Sequence, residues 1–226
     1  MNKRIPLTLA AAALAVTAVG SAQAGSLSGN VAMTNNYIFR GVTQTSDEAA
    51  VQGGLDWENG SGVYLGTWIS NLSSGNGYEW DLYGGYRFKV QEFDLDVGFI
   101  SYEYPVANDY YRELYVAASW QMLSFGANLT VDAKTDNDGL DSGDLYIYVG
   151  ADFEGPNGLG YGVLVGNYDF DSNIRIANGG LIEDYTHVRG YLSKGDFSFA
   201  VEKNDLPGTG NDELRLTVSW GQSFDL

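Results

Sequence analysis

The chain holds 226 residues, with 29 acidic and 12 basic side chains, one histidine and no cysteine, for a formal net charge of −17. That balance argues against nucleic-acid binding and polyanionic substrates, because neutralising phosphates takes a basic stripe, and the missing cysteines exclude disulfides. An aromatic content of 14% with 30 glycines is too apolar for disorder and suits a β-protein rich in tight turns.

The first segment, MNKRIPLTLAAAALAVTAVGSAQA, joins a basic start (Lys3, Arg4) to a short apolar run and an Ala22-Gln23-Ala24 cleavage box. It predicts a signal peptide over residues 1–24 and a mature chain from Gly25. No later run approaches the roughly 20 apolar residues that a spanning helix needs. Residues 25–226 read as one unit.

Twelve alternating runs follow, and none has a helical period. The first covers 27–39, with Leu27, Val31, Met33, Tyr37 and Phe39 in one phase. The second covers 49–57, with Val51, Leu55 and Trp57 opposite Gln52 and Asp56. A third spans 62–71. In the fourth, Tyr78, Trp80, Leu82, Tyr86 and Phe88 oppose Glu79, Asp81, Tyr83 and Arg87. The fifth sets Phe93, Leu95, Val97 and Phe99 against Asp94 and Asp96. Runs near 113–120, 123–132, 145–153, 159–167, 185–192, 197–201 and 213–220 complete the set. Because successive strand residues face opposite sides, the runs have one apolar and one polar face, except 159–167, where both faces are apolar or glycine and the phase is weak. The apolar face fits either the core of a soluble sandwich or the lipid side of a membrane barrel.

The connections discriminate between them. GVTQTSDE, NLSSGNG, PVAND, KTDNDGLDSG, DFDSNIRIANGGLIED and NDLPGTGND alternate with ENGS, KVQE, QM, EGPNG and KGD. Long polar loops at one end and tight turns at the other are the asymmetry of outer-membrane barrels. Aromatics agree: Trp57, Phe88, Phe93, Trp120 and Phe153 lie at the short-turn ends, and Tyr37, Phe39, Tyr78, Trp80 and Phe99 toward the long loops. The expected fold is all-β, a single closed antiparallel transmembrane barrel of about twelve strands in the bacterial outer membrane.

The stretch NVAMTNNYIFRGVTQTSDEAAVQGGLDW, residues 30–57, resembles the TorF family of porins, and GVYLGTWISN and EWDLYGGY fit the same pattern. Its specific motifs are confined to the first third of the mature chain. The resemblance implies an outer-membrane barrel acting as a channel, with no catalytic motif to transfer; the one position it singles out is Arg40, in FRG.

The inward phase supplies the candidate pore-lining residues: Arg40, Asp56, Glu79, Asp81, Arg87, Asp94, Asp96, Glu113, Asp132, Asp152, Glu213 and Arg215. Lys89, Arg189 and Glu202 share that phase. Acids outnumber bases, and acidic rings favour cations. Pairing of the first strand with the last would bring Arg40 near Glu213 and Arg215, as a charged mouth or an ion pair pinning closure. A lumen clogged by salt-bridged side chains is the alternative, since twelve strands lie between filled eight-stranded barrels and wide 16-stranded channels.

His187 is the sole candidate for acid–base chemistry, with Asp184, Asp169 and Asp171 near it in sequence; a hydrogen-bonded lumen histidine is the simpler reading. Asp136 to Asp144 gathers carboxylates suited to calcium but lacks the EF-hand spacing. Leu206 to Gly210 reads as a tight outer loop. The expectation is a porin passing small solutes or ions, with cation preference. Its partners would be outer-membrane lipid and lipopolysaccharide, with no nucleic acid, cofactor or metal. A hydrolase using His187, a structural or adhesive barrel, and a secreted sandwich stand as rivals.

Overall fold

The computed structural model describes residues 25–134, 141–171, 183–206 and 212–226. Residues 1–24, where a signal peptide is expected, and the loop segments 135–140, 172–182 and 207–211 lie outside the described residues. The elements are β1 (Ser26–Thr34), β2 (Ile38–Phe39), β3 (Val42–Thr43), β4 (Ala50–Glu58), β5 (Val63–Asn71), β6 (Tyr78–Val90) and β7 (Phe93–Tyr104). They continue with β8 (Asp109–Trp120), β9 (Leu123–Lys134), β10 (Leu145–Gly155), a 3-10 turn (Pro156–Gly158), β11 (Leu159–Asp169), β12 (Tyr185–Lys194), β13 (Phe197–Asn204) and β14 (Arg215–Asp225).

Twelve of these strands form a closed antiparallel barrel in which each pairs with its sequence neighbours, and β1 closes the ring between β4 and β14. Closure gives every strand two partners, so no edge of unpaired backbone is left. Short turns reverse the chain where Gln91 and Gln121 take φ of 55°, the left-handed region that tight hairpins use. On β1, Gly29 lets the Phe224 ring of β14 lie across the seam, because a Cβ there would stand 2.6 Å from it.

Outward positions are apolar and stay open on the surface of the isolated chain: Val51, Leu65, Val149 and Leu216 are 46–67% exposed. At the short-turn end Phe93 stacks on Trp120, and Phe153 on Tyr161. Inward positions are mainly polar, tyrosine or small, with Ile100 among them. One register shift, between Arg112 and Glu113, re-phases β8 against β9, so that Arg112 faces Asp132 and Glu113 faces Thr130.

The first strand departs from the sequence expectation. It ends at Thr34, and residues 35–49 turn into the barrel before the chain rejoins the wall at Ala50, which pairs with Thr34. The alternation over 37–39 is real, but it belongs to the inner ribbon β2–β3, not to the wall. Asn35 starts the departure by bonding β14: its amide nitrogen donates to Leu216 O at 3.2 Å, and its side-chain oxygen accepts Val218 N at 2.6 Å. Arg40 and Gly41, at φ 47° and 82°, make the ribbon's turn. Tyr37 is consequently buried inside, 2% exposed, and Phe39 packs against Tyr102 at 5.6 Å. Neither belongs to the outer aromatic belt.

Candidate functional site: the lumen and its insert

The insert is fastened by charge and by aromatic contact. Arg40 donates to both carboxylate oxygens of Glu113 at 2.7 Å, a bidentate pair with both side chains nearly fully buried. Its guanidinium lies over Tyr146 at 4.2 Å and Phe39 at 4.7 Å. A planar cation that pairs bidentately and stacks on rings is the role in which arginine surpasses lysine. Glu113 also accepts from Asn128 at 3.0 Å. Tyr37 of the insert and Tyr104 of the wall each donate to Glu79 at 2.7 Å.

Backbone oxygens of the insert are held as well. Arg40 O accepts from the Tyr185 hydroxyl at 3.0 Å, and Gly41 O from Asn204 at 2.7 Å. Gly41 must be glycine: its φ is positive, and a Cβ would stand 2.5 Å from that of His187. Asp47 receives Asn36 at 2.7 Å and Arg215 at 2.8 Å.

Toward the short-turn end, Asp96 is fully buried and accepts from Tyr64 at 2.7 Å and Arg87 at 3.2 Å, while Arg87 also meets Glu58 at 2.9 Å. Tyr64 is bonded in turn to Tyr115. Asp56 takes Tyr83 at 2.6 Å and Asn30 at 3.2 Å, and Tyr191 bonds Asp152. Lys89 pairs with Asp94, Arg112 with Asp132, and Arg189 with Glu202 at 3.3 Å. Asp81, 5% exposed, keeps one carboxylate oxygen buried without a hydrogen-bond partner.

These contacts revise the expected geometry. Arg40 reaches Glu113 across the lumen instead of Glu213 or Arg215, because it sits on the insert and not on a wall strand. Arg215 holds Asp47, and Glu213 lies exposed ahead of β14, outside the twelve strands. Arg40, Glu79, Glu113 and the aromatics around them are gathered at the insert, whereas Asp56, Arg87, Asp94, Asp96 and Asp152 form separate pairs nearer the short turns. Sequence reasoning missed the tyrosines. Tyr64, Tyr102, Tyr111 and Tyr115 fill one side with Ile100, and Tyr146, Tyr168 and Tyr185 with Leu206 fill another. The signal was available: 16 tyrosines against 10 phenylalanines, many in the polar phase, where a ring with a hydroxyl can pack and still bond an acid.

His187 is 3% exposed; its Nε2 bonds the Tyr146 hydroxyl at 2.9 Å, and the rings stack. Asp184 accepts from Phe170 N at 2.9 Å, and His187 Nδ1 is buried without a hydrogen-bond partner, so the Asp–His pair considered from sequence is not assembled. Among the described residues no cluster of three metal-ligating side chains occurs.

A cavity of about 30 Å³ remains beside the insert, lined by Thr34, Asn36, Tyr37, Ile38, Gln52, Arg189, Glu202, Thr217 and Ser219. That is room for roughly two water molecules.

The sequence profile of a family described as "Bacterial protein of unknown function (Gcw_chp)" matches residues 18–190. No curated protein matches the chain. Among solved structures the barrel is similar to the NanC porin (TM-score 0.54, 15% identity, 88% of this chain and 100% of that one). It is similar also to the KdgM porin (TM-score 0.53, 11% identity, 89% and 99%), which has been solved in complex with disordered oligogalacturonate. At such identities the likeness is one of fold.

Proposed function

The chain belongs to the Gcw_chp family, and from its closed barrel and that barrel's likeness to the NanC and KdgM porins we propose that it is an outer-membrane channel for small solutes or ions. The observation that carries this reading is the continuous outward apolar surface on a ring with no free edge: in water it would be a large aggregation-prone face, and in lipid it is the required one. The same aromatic belts, tight turns and long loops support an outer-membrane location, with lipid and lipopolysaccharide as the surrounding partners. The TorF resemblance of residues 30–57 points the same way. This reading needs no covalent chemistry: His187 is bonded to the Tyr146 hydroxyl, and Glu79, Asp96 and Glu113 are held by tyrosine hydroxyls and arginines.

The KdgM porin's complex with oligogalacturonate suggests passage of polar solutes through this architecture, but the seated insert limits this chain to much smaller species. Lumen acids exceed lumen bases, and a low-dielectric wall focuses their field, which favours cations. Reconstitution into a planar bilayer tests the reading. Small conductance steps with cation preference, weakened by Asp81→Asn or Asp96→Asn, are the expected result; a mature chain that stays dissolved without detergent would refute it. The tight insert also favours a second reading, a structural barrel with a closed lumen, for which a folded but silent protein would speak.

A further inference from the structure

Inside the barrel the two walls differ. From β5 to β12 the lumen holds two tyrosine clusters: the Tyr64–Tyr102–Tyr111–Tyr115 group and the Tyr146–Tyr168–Tyr185 group fill space on that side. The insert is pressed to that side through Arg40, Phe39 and Val42. From β13 through β14 and β1 the buried inward residues carry no aromatic ring and are mostly short: Ser198 and Ala200, then Thr217 and Gly221, then Ala32 and Thr34, with Glu202, Asn204 and Arg215 the exceptions. Against this wall the described contacts of the insert are polar ones near its own ends and turn, at Asn36, Gly41 and Asp47. The cavity opens between the insert and this short-side-chain wall.

We propose that permeation is eccentric. Solute passes between Asn36–Ile38 of the insert and the β12–β14–β1–β4 wall, as water-sized species and small hydrated ions, and the Arg189–Glu202 pair is the charge filter of that route. The inference rests on the channel reading and deepens it: the acids that dominate the sequence pattern, Glu79, Asp81 and Asp96, act from the blocked side, whereas Glu202 stands in the passage. Arg189 and Glu202 are the charged residues among those lining the cavity, 3.3 Å apart. The neighbouring liners Gln52, Thr217 and Ser219 are uncharged, so an ion entering there meets that pair first. Selectivity for small species follows from the room available, and selectivity for charge from which member of the pair dominates.

The absence of cysteine makes single-cysteine accessibility unambiguous. Thr217→Cys, Ser219→Cys and Gln52→Cys on the proposed path are compared with Asn128→Cys on the blocked side, each first shown to fold by heat-dependent gel migration. A small charged methanethiosulfonate reagent should modify the path positions roughly tenfold faster than Asn128→Cys, because a wet site needs no local opening. Modification should also lower conductance, and Glu202→Gln should shift ion preference more than Asp81→Asn. Equal modification rates, or a larger shift from Asp81→Asn, would overturn the route. Should the wild type conduct nothing, the channel reading falls by itself, while the rate comparison still decides which side of the lumen is wet.

Discussion

The outward and inward faces of β6 consist of alternate residues of one segment, yet they follow different rules. Outward, Tyr78, Trp80 and Leu82 are 40–41% exposed; the Trp80 indole donates to Thr67 Oγ1 at 2.7 Å, but the apolar carbons of that face need no particular partner. Inward, Glu79 and Asp81 are 2% and 5% exposed. Glu79 is tolerable there because Tyr37 and Tyr104 come to it from 42 and 25 residues away. An apolar surface is satisfied by its solvent, position by position; a buried polar group must be satisfied by a named neighbour. The outer face therefore tolerates exchange of one apolar residue for another, and the inner face is a set of matched pairs.

The sharpest way to break that contrast is to remove one member of a matched pair. Glu113→Ala should cost about 3–5 kcal/mol, since it leaves the Arg40 guanidinium buried without its carboxylate. Urea unfolding in detergent would show it as a lower midpoint, and Arg40→Ala in the same chain should recover part of the loss by coupling. On the other face, Val149→Arg should cost ~2–4 kcal/mol if β10 crosses the middle of the bilayer. Reversible folding into vesicles measures this, and Val149→Leu should leave it near wild type. Gly41→Ala tests the insert's turn, where a residue with a Cβ at positive φ costs about 1–3 kcal/mol before any clash with His187; thermal unfolding should register it. Smallest of all, Lys89→Ala should change stability by under about 1 kcal/mol, because the Lys89 side chain is 54% exposed and water screens its pair with Asp94.

The same contrast explains what could be read in advance. Twelve strands, the phase of Trp80 or Val149 and the turn at Gln91 follow from local alternation and local turn chemistry, and the structure has them. The ends of β1 were not legible from alternation, because Tyr37 and Phe39 keep the period of a strand while lying in an inner ribbon. What diverts them is the bonding of Asn35 to β14, some 180 residues away, and no window along the chain contains both partners. Strand pairing alone places Arg40 near Glu213 and Arg215, whereas the structure pairs it with Glu113, 73 positions distant, for the same reason. The register shift at Arg112 likewise decides which face of β8 meets Asp132, and only the pairing reveals it.

Asn35 has a consequence for assembly. Its side chain is stitched to Leu216 and Val218 on the final strand, while the segment it begins lies within the cylinder. Joining the first strand to the last and seating the internal ribbon therefore share one residue. A cylinder closed with that ribbon outside would lack the Arg40–Glu113 pair, so the stability of the seam and the filling of the interior are coupled.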